Sequence, residues 1–149
     1  KKIWRIIRKY KMLPRDKIFR INKKDKDKIN AKILRSILEK KFETKFCDDK
    51  KVSNISIMDM SDIAESITKE ILNGNFQGNK MNKLSPDKLK SPLYLLSHEE
   101  VELYAKLNNI KGKNNKRDKK IQKLFNEFKK NNKDLEHNII NASMVLFSM

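Results

Sequence analysis

The sequence predicts an α/β domain that is predominantly helical and has a short parallel strand at about 52–58. β-branched residues recur through that stretch, at Val52, Ile55 and Ile57, as they do in buried strands. Directly after it the apolar spacing becomes helical, at Ile63, Ala64, Ile67, Ile71 and Leu72. A strand that leads into a helix is the repeating unit of α/β folds, so the fold prediction depends mainly on residues 52–73.

The junction between this strand and this helix is the first candidate site. A helix N-terminus has free N–H groups and a partial positive charge, and ligands of open α/β sheets bind at the carboxyl ends of the strands. We therefore expect Asp59, Ser61 and Asp62 to mark the edge of a nucleotide site. That edge is expected to be vestigial, because the three glycines of the chain cannot form a phosphate-binding loop. An ordinary connection is the alternative.

The composition indicates a polyanionic partner. The chain has 149 residues, enough for one domain, and a formal charge of +17 from 36 Lys and Arg against 19 Asp and Glu. Such a charge favours nucleic acid as the partner before a membrane, and no apolar run approaches the roughly 20 residues that span a bilayer. The single Cys47 excludes a disulfide framework and a multi-cysteine metal site within the chain, and it fits a cytoplasmic location.

Residues 1–28 are expected to form an N-terminal part made of an amphipathic helix and a basic loop. The helix is predicted over 2–11, with apolar side chains on one side and basic ones on the other, and it ends before Pro14. Residues 18–21 can form a short strand, and 22–28 are too polar to fold alone.

Residues 29–149 are expected to form the main part of the domain. Apolar spacing predicts a helix over 29–46, and 74–90 is predicted to be a long loop because it holds two glycines and a proline. A short extended piece at 91–96 leads to a capping box at Ser97 and Glu100, which begins the next helix. Two helices end the chain, and their predicted apolar faces are Ile121, Leu124, Phe125 and Phe128, then Leu135, Ile139, Ala142 and Leu146.

The densest basic segment, residues 111–120, is the second candidate site. Its cations are Lys111, Lys113, Lys116, Arg117, Lys119 and Lys120. It contains no aromatic residue on which a base could stack, so we expect contacts with phosphates that do not depend on nucleotide sequence. A solvated linker is the alternative interpretation.

No self-contained active site is evident in the sequence. His98 and His137 have no cysteine or carboxylate at ligand spacing, and no spacing suggests a Ser-His-Asp or Cys-His arrangement. We therefore expect no catalytic residue and no metal site in this chain.

Three segments occur in an order that matches a known family. They are Asp59–Gly74, which begins Asp59-Met60-Ser61-Asp62-Ile63-Ala64-Glu65-Ser66, then Ser91-Pro92-Leu93 through Leu103-Tyr104-Ala105, and the helix pair Ile121–Ile140. A helix with Ile33-Leu34-Arg35-Ser36 precedes them. The set resembles the C-terminal half of the PP-loop ATP pyrophosphatase superfamily, in particular its tRNA-thiolating members, over about residues 30–146. The resemblance implies a Rossmann-like fold of the adenine nucleotide alpha hydrolase type.

Departures from the family pattern narrow this resemblance. Catalytic members carry His or Asn at the strand end, where this chain has Met58 and Asp59, and several have paired cysteines where this chain has residues 26–32. The chain is therefore most similar to degenerate members, such as the second subunit of the cytoplasmic tRNA 2-thiolation complex. The half that would hold the PP-loop is not in this sequence, which we expect to be part of a longer protein.

The resemblance implies a subunit that binds tRNA and forms a heterodimer with a catalytic PP-loop partner. That partner uses ATP to activate the wobble uridine, and a ubiquitin-like sulfur carrier is a further expected partner. This chain itself is expected to bind no cofactor. Two alternatives stay open: a non-enzymatic basic helical module that binds RNA, or a fragment of a catalytic PP-loop enzyme, either a thiolase or a lysidine synthetase.

Overall fold

The computed structural model describes residues 2–48, 52–74, 84 and 86–148. Its elements are, in chain order, α1 (Lys2–Lys9), β1 (Ile18–Asn22), a 3-10 turn (Lys23–Asp25), α2 (Ile29–Leu38), β2 (Glu43–Cys47), α3 (Met60–Leu72), the short α4 (Pro86–Leu89), α5 (His98–Leu107), α6 (Lys119–Lys129) and α7 (Leu135–Ser148). Most of the loop predicted over 74–90 lies outside the described residues.

The sheet that the structure describes has two parallel strands, β1 and β2, joined through α2. Ile18 lies opposite Glu43, and Asn22 lies opposite Cys47. Parallel strands need such a crossover connection, and a helix usually provides it. The predicted α/β class with a parallel sheet is therefore confirmed, and the strand expected over 18–21 is β1.

The prediction of one helix over 29–46 is wrong in its second half. The helix α2 ends at Leu38, and the residues from Glu43 to Cys47 form β2. Residues 39–41 are Glu-Lys-Lys and offer no apolar side chain to continue the buried stripe. Phe42 instead turns its ring toward Phe19 of β1, with the ring centroids 6.0 Å apart, so the chain folds back onto the sheet.

The prediction of a strand at 52–58 is also wrong, although the segment is extended. The backbone N–H of Asn54 donates to the Arg20 carbonyl oxygen at 3.1 Å, but the Arg20 N–H donates to the side-chain oxygen of Asn54 at 2.7 Å. The Asn54 side-chain amide also donates to the Ile18 carbonyl oxygen at 2.9 Å. The Asn54 side chain thus takes the place of some backbone hydrogen bonds that a strand would make to β1, as short polar side chains often do. Ile55 and Ile57 remain buried.

This extended segment covers the edge of β1 that faces away from β2. In a parallel strand the N–H and the carbonyl of one residue point to the same neighbour, and both groups of Arg20 bond to Asn54. The segment then leads directly into α3, which begins and ends as predicted within one or two residues. Asp59 caps α3 in a capping box with Asp62.

One hydrophobic core joins the N-terminal elements to the rest. Ile3, Ile6 and Ile7 of α1 and Phe19 of β1 belong to the same buried cluster as Ile63 of α3. The predicted boundary at residue 28 therefore does not separate two hydrophobic cores. As a domain boundary it stays a prediction. No helix among the residues described is long and apolar enough to cross a membrane.

The C-terminal helices are present where the sequence predicts them, with two local differences. Residues 91–96 form turns instead of an extended piece, with the Tyr94 N–H bonded to the Ser91 carbonyl oxygen at 3.2 Å. Among the described side chains of α7 the fully buried ones are Glu136, Ile140 and Ser143. Leu135 and Ile139 of the predicted face are partly buried against the core, Ala142 is exposed, and the side chain of Leu146 lies outside the described part. Burial of Glu136 is possible because it pairs with Lys129 of α6 at 2.5 Å.

Candidate functional site

A cleft of about 960 Å³, lined mainly by polar residues, lies beside the carboxyl end of β1. The turn after β1 forms one wall, through Asn22, Asp25 and Lys28, and the extended segment 52–58 forms another. Asp62 and Glu65 of α3 lie at its floor, and residues 88–90 and 115–116 complete the lining. The cleft is therefore at the edge of the sheet where ligands of α/β proteins commonly bind.

Four lysines line this cleft, and we call them the cleft lysines: Lys28, Lys88, Lys90 and Lys116. Lys28 pairs with Asp25 at 3.0 Å. The other three are exposed, and within the described part of the chain no ion pair engages them. Lys90 has a left-handed backbone with φ 52°, which costs a non-glycine residue roughly 1–2 kcal/mol. The rim of the cleft thus presents available cations to solvent.

The floor of the cleft belongs to a buried cluster of charges. Asp59, Asp62 and Glu65 follow each other at three-residue intervals on one face of α3 and are 0%, 8% and 8% exposed. Arg117 reaches all three carboxylates, with nitrogen–oxygen distances of 3.3 Å to Asp59, 3.4 Å to Asp62 and 3.9 Å to Glu65. We call these four residues the Arg117 cluster. One guanidinium is thereby shared among three acids.

The Arg117 cluster shifts the pKa values of its members in opposite directions. Burial and the nearby charge of Asp59 raise the pKa of Asp62 to about 6. Burial alone would also raise the pKa of Asp59, but His98, the Asp62 N–H and Arg117 together lower it. The Asp59 carboxylate raises the pKa of His98, whose Nδ1 lies 3.8 Å from Asp59 Oδ2, an ion-pair distance that exceeds hydrogen-bond length.

The residues predicted as a nucleotide edge are separated by the structure. Asp59 and Asp62 face Arg117, whereas Ser61 points to α7, where its hydroxyl donates to Glu136 at 2.6 Å. Ser61 also accepts the His98 backbone N–H at 3.0 Å. The first turn of α3 is therefore satisfied by the protein's own carboxylates, and their charge opposes binding of a phosphate there. The nucleotide role of these residues stays a prediction.

The basic segment is divided between the surface and the interior. Five of its cations are exposed: Lys111, Lys113, Lys116, Lys119 and Lys120. The side chain of Arg117 is 11% exposed and serves the buried cluster, so it is not presented to a ligand. The phosphate contacts expected of the five lysines stay a prediction, and Lys116 brings this segment to the cleft.

Backbone contacts hold the basic segment against the turn that precedes α2. The Lys113 N–H donates to the Asp27 carbonyl oxygen at 2.8 Å, and the Ile29 N–H donates to the Lys113 carbonyl oxygen at 2.9 Å. Gly112 is needed for this close approach, because a Cβ added there would lie 2.6 Å from the Asp27 carbonyl oxygen. The same segment therefore supplies a wall of the cleft and the arginine beneath it.

The cleft wall contains one buried acceptor without a partner. The Asn115 side-chain amide donates to Asp62 Oδ2 at 2.6 Å, which fixes the orientation of the amide. Its Oδ1 is buried and has no hydrogen-bond partner among the described residues. An unpaired buried acceptor costs roughly 1–3 kcal/mol of stability.

Three of the four cleft lysines, Lys28, Lys88 and Lys90, were not predicted from the sequence. They come from separate segments, and no local sequence pattern marks them as parts of one site. The pairing of Arg117 was not predicted either, although a lone arginine among lysines with Asp118 beside it was a hint.

Within the residues the structure describes, no group of three His, Cys, Asp or Glu is arranged to hold a metal ion. Comparisons with family models, curated proteins and solved structures gave no match.

Proposed function

We propose that this chain is a non-catalytic RNA-binding subunit that holds the RNA backbone at its cleft. The observation that carries the proposal is the set of cleft lysines, which join the exposed lysines of residues 111–120 through Lys116. Phosphate contacts supply most of the affinity in non-specific RNA binding, and lysines serve them as point charges. The formal charge of +17 adds attraction at long range.

The exposed lysines of the cleft, and not its buried carboxylates, are the groups that RNA can reach. Phosphates would lie on the rim, at Lys88, Lys90 and Lys116. Asp62 and Glu65 are each 8% exposed and the Asn115 Oδ1 is buried, so these acceptors are expected to contribute little to RNA contact. No aromatic residue is among those described as lining the cleft, so little base selection is expected there.

The resemblance to tRNA-thiolating PP-loop proteins makes tRNA the proposed RNA and a wobble-uridine 2-thiolation complex the proposed setting. In that role a catalytic partner uses ATP, and this chain supports tRNA binding. The α/β architecture and the carboxylates at the start of α3 support a partial, non-catalytic domain of that kind. The Rossmann-like assignment is part of this proposal.

A basic RNA-binding module that acts alone is the second candidate. The observation that favours it is the exposure of Lys119 and Lys120 at the start of α6, which are not among the residues that line the cleft. The two candidates differ in whether tRNA binding depends on a second protein. Reconstitution with and without a catalytic PP-loop subunit separates them, because only the first candidate predicts that the partner increases affinity.

The test is tRNA binding measured by fluorescence anisotropy across a range of salt concentrations. The triple variant Lys88→Ala, Lys90→Ala, Lys116→Ala should bind weakly, and its slope of log affinity against log salt should be smaller by roughly 2–3. The matched control replaces Lys40, Lys106 and Lys130, which are exposed and lose the same charge. Equal effects of the two triple variants would contradict a role for the cleft.

A further inference from the structure

A second cavity, of about 520 Å³, lies against α1 on a face that the proposed function does not use. Its walls are apolar and half aromatic, formed by Trp4, Ile7, Leu13 and Phe42. Three cations surround them, Arg8, Lys11 and Lys41, and no carboxylate is among the lining residues described. We call this cavity the Trp4 groove.

The aromatic residues of the Trp4 groove already interact with a cation. The Lys41 ammonium lies 4.8 Å from the centre of the Trp4 ring, and the Trp4 and Phe42 rings are 5.9 Å apart at 53°. Lys11 has a left-handed backbone with φ 52° at the end of α1, where glycine would be free of strain. The structure thus places a lysine beside the aromatic wall in a backbone conformation that favours glycine.

We propose that the Trp4 groove binds one unpaired nucleotide of single-stranded RNA, with the base against Trp4 and its phosphate held by the surrounding cations. Bases stack on aromatic side chains, and adjacent cations follow the phosphates, which is the usual arrangement of single-strand sites. The charge of the groove suits a phosphate, because its described lining contains three cations and no carboxylate.

This site supplies what the cleft lacks. The cleft holds cations without aromatic residues, whereas the Trp4 groove holds both. A base that enters it must first leave its stack, so the groove selects unpaired loops and ends over duplex RNA. Its few polar groups predict stacking without strong preference among the bases.

The test uses intrinsic fluorescence, because Trp4 is the single tryptophan of the chain. Single-stranded hexa-adenylate should quench the Trp4 emission, and a hexamer of abasic ribose phosphate with the same charge should bind without quenching it. Equal responses to the two hexamers, or no response to either, would overturn the proposal. So would quenching by an acidic peptide that contains leucine and not by hexa-adenylate, because the groove would then be a protein-docking surface.

Variants at Trp4 separate stacking from packing. Binding of labelled hexa-adenylate, measured by fluorescence anisotropy, should stay within about threefold in Trp4→Phe and weaken about tenfold or more in Trp4→Leu, as expected for the loss of one stacked base. Circular dichroism melting shows whether each variant is folded. If a folded Trp4→Leu variant binds as the wild type does, the proposal is wrong.

Failure of this proposal is distinguishable from failure of the proposed function. Adenosine monophosphate alone should quench Trp4 at millimolar concentration, even in the variant that lacks Lys88, Lys90 and Lys116. If tRNA binds through the cleft lysines while neither the mononucleotide nor the hexamer quenches Trp4, only the groove proposal is overturned. If the mononucleotide quenches Trp4 while the cleft variant keeps full tRNA affinity, only the cleft proposal is overturned.

Discussion

Replacing Arg117 with methionine should destabilise the protein strongly. The change keeps most of the side-chain volume and removes the cation that faces Asp59, Asp62 and Glu65. All three carboxylates are at most 8% exposed, so water cannot replace the lost partner. Breaking a buried ion pair by removing one partner costs about 3–5 kcal/mol. That is a large part of the roughly 5–15 kcal/mol that stabilise a typical domain.

The assay is urea unfolding followed by circular dichroism. With a slope of about 2 kcal/mol per molar urea, the midpoint should fall by roughly 1.5–2.5 M. Arg35→Met is the matched control, because Arg35 pairs with Glu39 on an exposed part of α2. Arg35 also lies 4.9 Å from the centre of the Phe46 ring, so that variant should cost about 1 kcal/mol or less.

The pH dependence of the stability lost in Arg117→Met tests whether that loss is electrostatic. Protonation of the carboxylates removes the repulsion that Arg117 offsets, so the difference between wild type and variant should shrink from pH 8 to pH 5. Adding Asp62→Asn to Arg117→Met should recover part of the loss at pH 8. A loss under about 1 kcal/mol, or one that does not change with pH, would refute the reasoning about the buried cluster.

Three further predictions concern the framework of the cleft. Gly112→Ala should free residues 111–116 from the turn before α2, because its Cβ meets the Asp27 carbonyl oxygen at 2.6 Å; limited proteolysis should then cut this segment faster than in the wild type. Asn54→Ala should cost roughly 1–3 kcal/mol in thermal unfolding, because the Arg20 N–H and the Ile18 carbonyl lose their side-chain partner. Asp62→Asn should stabilise the protein at pH 7 and flatten its stability between pH 4 and 6. The pKa of Asp62 is raised, so the wild type loses stability as the pH rises through that range.

Features encoded by neighbouring residues were predictable from the sequence. The helix after Asp59 has a capping box and a regular apolar stripe, and both act within a few residues. The spacing of apolar residues predicted a helix where β2 lies, because Leu38, Phe42 and Phe46 follow one another at helical four-residue steps. The polar residues 39–41 end the helix, and the contact of Phe42 with Phe19 of β1 brings the following residues to the sheet.

Features encoded by distant residues were not predictable. Arg117 pairs with carboxylates that lie more than 50 positions earlier in the chain, and the residues around Arg117 do not indicate those partners. The cleft lysines come from three separate segments that only the fold brings together. Asn54 shows the same limitation, since its side chain takes the place of a backbone ladder that β-branched neighbours predicted.

Lysine acetylation footprinting with tRNA shows directly whether RNA covers the cleft lysines. The protein is treated with an amine-reactive acetylating reagent with and without tRNA, and the modification of each lysine is measured by mass spectrometry. The account predicts strong protection of Lys88, Lys90 and Lys116 and little protection of Lys40, Lys106 and Lys130. Uniform protection of both sets, or protection of the second set alone, would contradict an RNA site at the cleft.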